Sequence, residues 1–151
     1  MENGAMSDKH KQYLELAKEF SRWSKDPSRK IGAVAINKDG VIISTGWNGF
    51  PRGFNDSPES YLNREMKNKY IIHAETNLIY NAARIGATLE GCTLYCWGLP
   101  VCSECAKAIS QVGIKQVYWS CDEDIPSRWL DSYDITIDIL TSLGIHIQKI
   151  V

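Results

Sequence analysis

Two short motifs constrain this chain more than any other feature: His73-Ala74-Glu75 and, further along, Cys102-Ser103-Glu104-Cys105. If one metal ion takes ligands from both, the fold must bring two distant segments to a single point. Cys102 and Cys105 are three apart, so at a helix start both sulfurs can face that point. Their thiolates gain there from the positive end of the helix dipole. His73 and Glu75 are two apart and would not share a face in mid-helix. They can converge at a helix N-terminus, where the first residue is not yet helical. One imidazole and two thiolates suit zinc, and three protein ligands leave its fourth position open, as in catalytic sites. Water held there becomes a nucleophile near neutral pH. Glu75 is left over as a carboxylate that can move protons. Two bland readings compete. A lone CxxC could be a redox dithiol, or half of a structural zinc site, although no second CxxC completes one.

The rest of the chain supplies helices and strands to carry these motifs. Lys9 to Ser24 reads as a helix, with Tyr13, Leu14, Ala17 and Phe20 on one apolar side. Residues 1–8 read as a tail, followed by one domain over 9–151. Pro27 ends the first helix region, and the apolar run Ile31 to Ile36 reads as a buried strand. Asn37 to Gly40 is a turn, and Val41 to Thr45 returns as the second strand of a hairpin. Gly46 to Arg64 is rich in Gly, Pro, Asn and Asp and reads as a long loop. Ile72 to Ile85 is a helix stopped by Gly86. Strands at Thr93–Trp97, Gln116–Ser120 and Ile145–Ile150 alternate with helices at Ser103–Val112 and Asp131–Leu143. A hairpin followed by βαβ crossovers implies an α/β fold, a mixed sheet of about five strands covered by helices on both faces.

The composition excludes several classes. With 151 residues and a net charge of −1, the chain has no bulk attraction to nucleic acid or acidic membranes. No apolar run reaches membrane-spanning length, and no secretion signal is visible, so a cytoplasmic location is expected. Five cysteines, an odd number, fit a reducing compartment. Cys92, Cys96 and Cys121 read as plain buried thiols, and His10 and His146 as surface residues.

The residues also resemble a known family. His73-Ala74-Glu75 with Cys102-Ser103-Glu104-Cys105, together with Ser24-Lys25-Asp26-Pro27 and Thr45-Gly46-Trp47-Asn48-Gly49-Phe50, is similar to the zinc-dependent cytidine deaminase-like superfamily and, within it, to the deoxycytidylate deaminases. That resemblance implies a cytidine deaminase-like three-layer α/β/α fold. It implies zinc on His73, Cys102 and Cys105, one per subunit, since Gly46 to Arg64 holds no Cys or His for a second site. Glu75 would be catalytic, moving a proton to ring N3 and helping ammonia leave after water attacks C4. The backbone at Ala74 would bind the base edge and Asn48 the sugar. Ser24, Lys25 and Arg29 would contact substrate, and Lys25, Arg29, Lys30, Arg52 and Arg128 are cations available for a phosphate.

Similar enzymes are hexamers, activated by dCTP with Mg²⁺ and inhibited by dTTP. By that resemblance Gly46, Trp47, Asn48, Gly49 and Arg84 would form the effector site. Two departures stand out: Trp47 replaces the tyrosine usual in Gly-Tyr-Asn-Gly, and Val101 separates Pro100 from Cys102. The expected reaction is dCMP to dUMP, feeding dTMP synthesis. The alternatives are a tRNA adenosine or free cytidine deaminase, or a structural zinc protein of the same fold. The chain shows no basic tail for RNA, and a structural site would not need Glu75.

Overall fold

In the computed structural model, which describes residues 2–151 and side chains from Asp8 onward, the apolar run after Lys30 becomes β1 (Gly32–Ile36), buried at every position. A strand without polar alternation is one covered on both faces. β1 pairs antiparallel with β2 (Ile42–Trp47) on one side and β3 (Thr93–Trp97) on the other. β3 pairs parallel with β4 (Gln116–Ser120), and β4 with β5 (His146–Lys149), so the sheet order is β2-β1-β3-β4-β5. The mixed five-stranded sheet expected from the hairpin and crossovers is therefore present.

Strand alternation divides the core into two layers. On one face, α1 (Glu2–Ser21) packs Leu14 and Ala17 against Val34, Ile36, Tyr95 and Tyr118. On the other, α4 (Ala74–Ile85), α5 (Ser103–Gln111) and α6 (Ser127–Ser142) pack Leu78, Ile109 and Leu140 against Ala33, Leu94, Cys96 and Trp119. The α/β/α layering is unequal, one helix against three.

Two glycines allow helices to lie directly on the sheet. A Cβ on Gly32 would stand 2.0 Å from the Ala17 carbonyl oxygen of α1, and one on Gly46 2.4 Å from the Ala74 carbonyl oxygen of α4. β2 is further laced to α4 by Asn77 Nδ2 donating to the Trp47 carbonyl at 2.8 Å and Asn81 Nδ2 to the Thr45 carbonyl at 2.7 Å. The height of α4 over the sheet is thus fixed by backbone contact and amide bonds together.

Register places every loop of interest at one end of the sheet. Gly32 pairs with both Trp47 and Trp97, and Trp97 pairs with Ser120. The chain entering β1 and the chains leaving β2, β3 and β4 therefore share one edge. In parallel sheets, this carboxyl end of the strands is where ligands bind.

Several expectations need correction. The first helix runs Glu2–Ser21, so the segment read as a tail begins α1 from Glu2, while Met1 lies outside the described residues. The long loop 46–64 contains α2 (Pro58–Leu62), and α3 (Arg64–Tyr70) follows at once. Asn63 caps α3, its side chain accepting from the Met66 amide at 3.1 Å. α6 begins at Ser127, four residues before the apolar pattern is readable. His10 is not a surface residue: its Nδ1 lies 2.8 Å from the Tyr95 hydroxyl and its ring stacks on Tyr118 with centroids 3.9 Å apart. Among the described residues, no helix is long and apolar enough to cross a membrane.

The backbone contact at Gly46 yields a direct test. Overpacking of this kind costs about 1–3 kcal/mol, and at this chain length each kcal/mol lowers Tm by roughly 2–4 °C. Gly46→Ala should therefore show a clear drop by calorimetry. Gly49→Ala, whose Cβ would meet only the Tyr61 hydroxyl at 3.7 Å, should lose less than half as much. An unchanged Tm in Gly46→Ala would contradict the contact.

Candidate active site

Both motifs sit at helix starts, and the backbone there explains their convergence. His73 is the N-cap of α4 with an extended backbone (φ −69°, ψ 154°), and Cys102 is the N-cap of α5 (φ −79°, ψ 165°). Each cap carbonyl accepts the first helical bond, from Asn77 and Ala106, at 2.9 Å. Because His73 is not yet helical, its ring turns to the same side as Glu75, in the first turn of α4. The Cys105 amide donates to Cys102 Sγ at 3.4 Å, which caps α5 with a sulfur.

His73 Nδ1 lies 3.4 Å from Cys102 Sγ and 3.5 Å from Cys105 Sγ. Tetrahedral zinc with its usual Zn–N and Zn–S lengths requires an N–S separation of about 3.5 Å. The donor set therefore fits zinc by chemistry and spacing. Among the described residues, this group has ligand atoms all within 4.8 Å of one another.

The electrostatics of the three donors suit a cation. Cys102 carries the charge of the thiol pair: it accepts from the Cys105 thiol and the His73 ring, which hold its own proton affinity well below the ordinary thiol value. Cys105 keeps the proton it donates to Cys102, and burial pushes its thiol up as well. The bond to Cys102 raises His73 to about 8. Burial raises the Glu75 carboxyl above its ordinary value, partly opposed by the nearby His73 charge.

A cavity of about 670 Å³ opens against this centre, and His73, Ala74 and Glu75 are part of its lining. Asn48, Arg29 and Leu99 line it, with Trp129, whose ring centroid stands 6.1 Å from that of His73. Asn48 is braced by the chain: Oδ1 accepts from the Ile31 amide at 2.9 Å, and Nδ2 donates to the Arg29 carbonyl at 2.9 Å. Asp26 ties this wall together. It accepts from the Ser28 amide at 2.8 Å and from Lys67 Nζ at 3.1 Å in an almost fully buried ion pair.

The structure brings Glu75, Ala74, Asn48 and Arg29 to the cavity beside His73, Cys102 and Cys105. It does not bring Lys25, which is exposed and paired with Asp56 at 2.8 Å, or Ser24, which is buried and donates to the Asn48 carbonyl at 2.8 Å. Lys30 and Arg52 also lie off this wall, whereas Arg128 lies on it. Trp47, Gly49 and Arg84 line a second cavity of about 310 Å³. Gly46 is pressed under α4 instead and has a packing role of its own. Residues missed from sequence are Asp26, Arg64, Lys67, Cys96 and Trp129. Asp26 stood inside a quoted motif, and Trp129 was an isolated aromatic in a polar stretch. Arg64 and Lys67 gave no signal beyond their charge.

The metal-ligand protons make the centre pH-sensitive. Zinc displaces protons from its ligands, so its affinity falls as pH drops. Because His73 holds its proton up to about 8, a chelator competition should show apparent affinity falling by about tenfold per pH unit below that value for each proton displaced. A flat profile between pH 8 and 6 would contradict the ligand set.

Known proteins resemble this chain in sequence and fold. Residues 7–121 match the family model of the cytidine and deoxycytidylate deaminase zinc-binding region. A protein of Aliivibrio fischeri described as an uncharacterized deaminase in the luxG 3′ region is 38% identical over 91% of this chain and 90% of its own. The deoxycytidylate deaminase of Enterobacteria phage T4 is 33% identical over 91% of this chain and 87% of its own. The crystal structure of dCMP deaminase from cyanophage S-TIM5 in complex with dCMP and dUMP superposes with a TM-score of 0.73 at 30% identity, covering 94% of this chain and 96% of that one.

Proposed function

The chain belongs to the cytidine and deoxycytidylate deaminase family, and we propose that its reaction is the hydrolysis of dCMP to dUMP and ammonia. The observation that carries this reading is Glu75, a buried carboxyl beside a three-donor metal set in the lining of a cavity whose walls carry cations. Zinc on His73, Cys102 and Cys105 would supply a water that is nucleophilic near neutral pH.

The chain's own residues do the rest. Glu75 takes the proton from the attacking water and delivers it to ring N3. It then takes the second proton from the new C4 hydroxyl and passes it to the departing amine, so that the C4–N bond breaks, C4 keeps the oxygen as a carbonyl and ammonia leaves. Burial suits this role, because it raises the carboxyl toward the pH at which a proton is both taken and given. Ala74, Leu99 and Trp129 line the cavity beside His73, where they would pack around the base. Asn48 Oδ1 has a lone pair left after binding the Ile31 amide and can accept from a sugar hydroxyl.

The cations favour a monophosphate. Arg29, Arg64, Lys67 and Arg128 line the cavity. Lys67 is engaged by Asp26, and Arg29 by Glu123 at 3.4 Å. Arg64 and Arg128 have no carboxylate partner among the described residues, and guanidinium groups suit phosphate oxygens. The second cavity, with Trp47, Arg52, Tyr80 and Arg84, supports a triphosphate effector site: dCTP with Mg²⁺ activating and dTTP inhibiting a hexamer. The product dUMP would feed dTMP synthesis.

One assay tests the reading. Zinc-loaded protein is mixed with dCMP, CMP, deoxycytidine and a tRNA anticodon stem, with and without dTTP. The expected result is turnover of dCMP well above the others, slowed by dTTP. Glu75→Gln should keep its zinc and lose roughly 10²–10⁴-fold in kcat. No reaction with full zinc, equal use of deoxycytidine, or an active Glu75→Gln would each contradict part of it.

A further inference from the structure

Glu75 has a neighbour that this reaction leaves idle. Cys96 lies in β3, fully buried, and its thiol donates to Glu75 Oε1 at 3.2 Å. Its next acceptor, the Leu99 carbonyl, is at 3.8 Å, so the carboxyl is the nearer partner. Cys96 is outside the metal-donor cluster of His73, Cys102 and Cys105. It is therefore a protonated donor in the core, aimed at the one carboxyl beside that cluster.

Its place on the sheet gives the contact its use. β3 is an inner strand, and Cys96 is held in register opposite Ala33 of β1 and Trp119 of β4. The Glu75 backbone belongs to the first turn of a helix, which is held by fewer bonds than a paired strand. A glutamate has three side-chain torsions, and without an anchor its carboxyl samples several rotamers. The core around Cys96 is largely apolar, with Ala33, Leu94 and Ala74, and Trp119 Nε1 on the neighbouring strand is committed to the Tyr133 hydroxyl at 3.0 Å. The Cys105 thiol also bonds Glu75, but from α5 and only while it keeps the proton that a metal ligand gives up, so Cys96 is the donor that the sheet supplies. A valine would fill the space but leave the carboxyl unanchored.

We infer that Cys96 is a positioning residue for the deamination: its S–H bond to Oε1 fixes the Glu75 carboxyl so that Oε2 is the oxygen presented to the cavity. The inference rests on the reading that Glu75 moves the protons. Cys96 touches neither substrate nor metal and acts only through Glu75.

The test compares Cys96→Val, which fills the site without a donor, with Cys96→Ser, which restores one, in the zinc-loaded enzyme. Cys96→Val should keep one zinc per chain and a KM for dCMP within about twofold of the parent, while kcat falls about tenfold, the size expected for one hydrogen bond to a charged group. Cys96→Ser should recover kcat to within about threefold. A Cys96→Val enzyme with unchanged kcat, one whose KM rises and zinc content falls along with the drop in kcat, or a Cys96→Ser enzyme as slow as the valine variant would overturn it. A second readout does not depend on the substrate. The infrared S–H stretch that disappears in Cys96→Val should shift in Glu75→Ala. If that band shifts while the parent enzyme does not deaminate dCMP, the contact stands and the substrate reading falls. If it does not shift, the positioning role falls.

Discussion

One imidazole nitrogen and two sulfurs, 3.4 and 3.5 Å apart, are the constraint to which the rest of the structure answers. They come from two segments 29 residues or more apart, each the extended cap of a helix. Their meeting requires that α4 and α5 both begin at the same edge of the sheet. Pairing Gly32 with Trp47 and Trp97 sets that edge. Gly46 then lets the start of α4 rest on β2 with no side chain between. A shift of either helix by even a fraction of a turn would separate donors that zinc needs within a few tenths of an ångström.

The cavity wall is built on the same economy of fixed backbone and buried polar bonds. Asp26 holds the turn into β1 through the Ser28 amide and binds Lys67 from α3. Removing one partner of such a buried pair leaves an uncompensated charge, at a cost of about 3–5 kcal/mol. The pair thus stitches a seven-residue helix, α3, to the mouth of the cavity. The cations engaged in structure and the cations facing solvent are different residues. That division leaves Arg64 and Arg128 available for an anion while Lys67 serves the fold.

Legibility in the sequence followed the range of the interaction involved. His73, Glu75, Cys102 and Cys105 were readable because their geometry is local to one helix turn. The strands and long helices were readable from apolar period. Cys96 was not: alternation along β3 says which face it points to, but not that Glu75 of α4 lies above it. His10 was misread because its partner Tyr95 is 85 residues away. α3 is too short to show a period. Lys25 lies in the segment before β1 where the resemblance implies substrate contacts, yet neighbouring residues leave a turn in different directions, and Lys25 turns to Asp56.

In the proposed active site three protein donors hold zinc and leave its fourth position open beside Glu75. X-ray absorption fine structure on the zinc-loaded protein measures this directly. The expected shell is two sulfurs at about 2.3 Å, one imidazole nitrogen at about 2.0 Å and one further light-atom ligand. A shell of four protein sulfur and nitrogen donors, or one of oxygens alone, would contradict it.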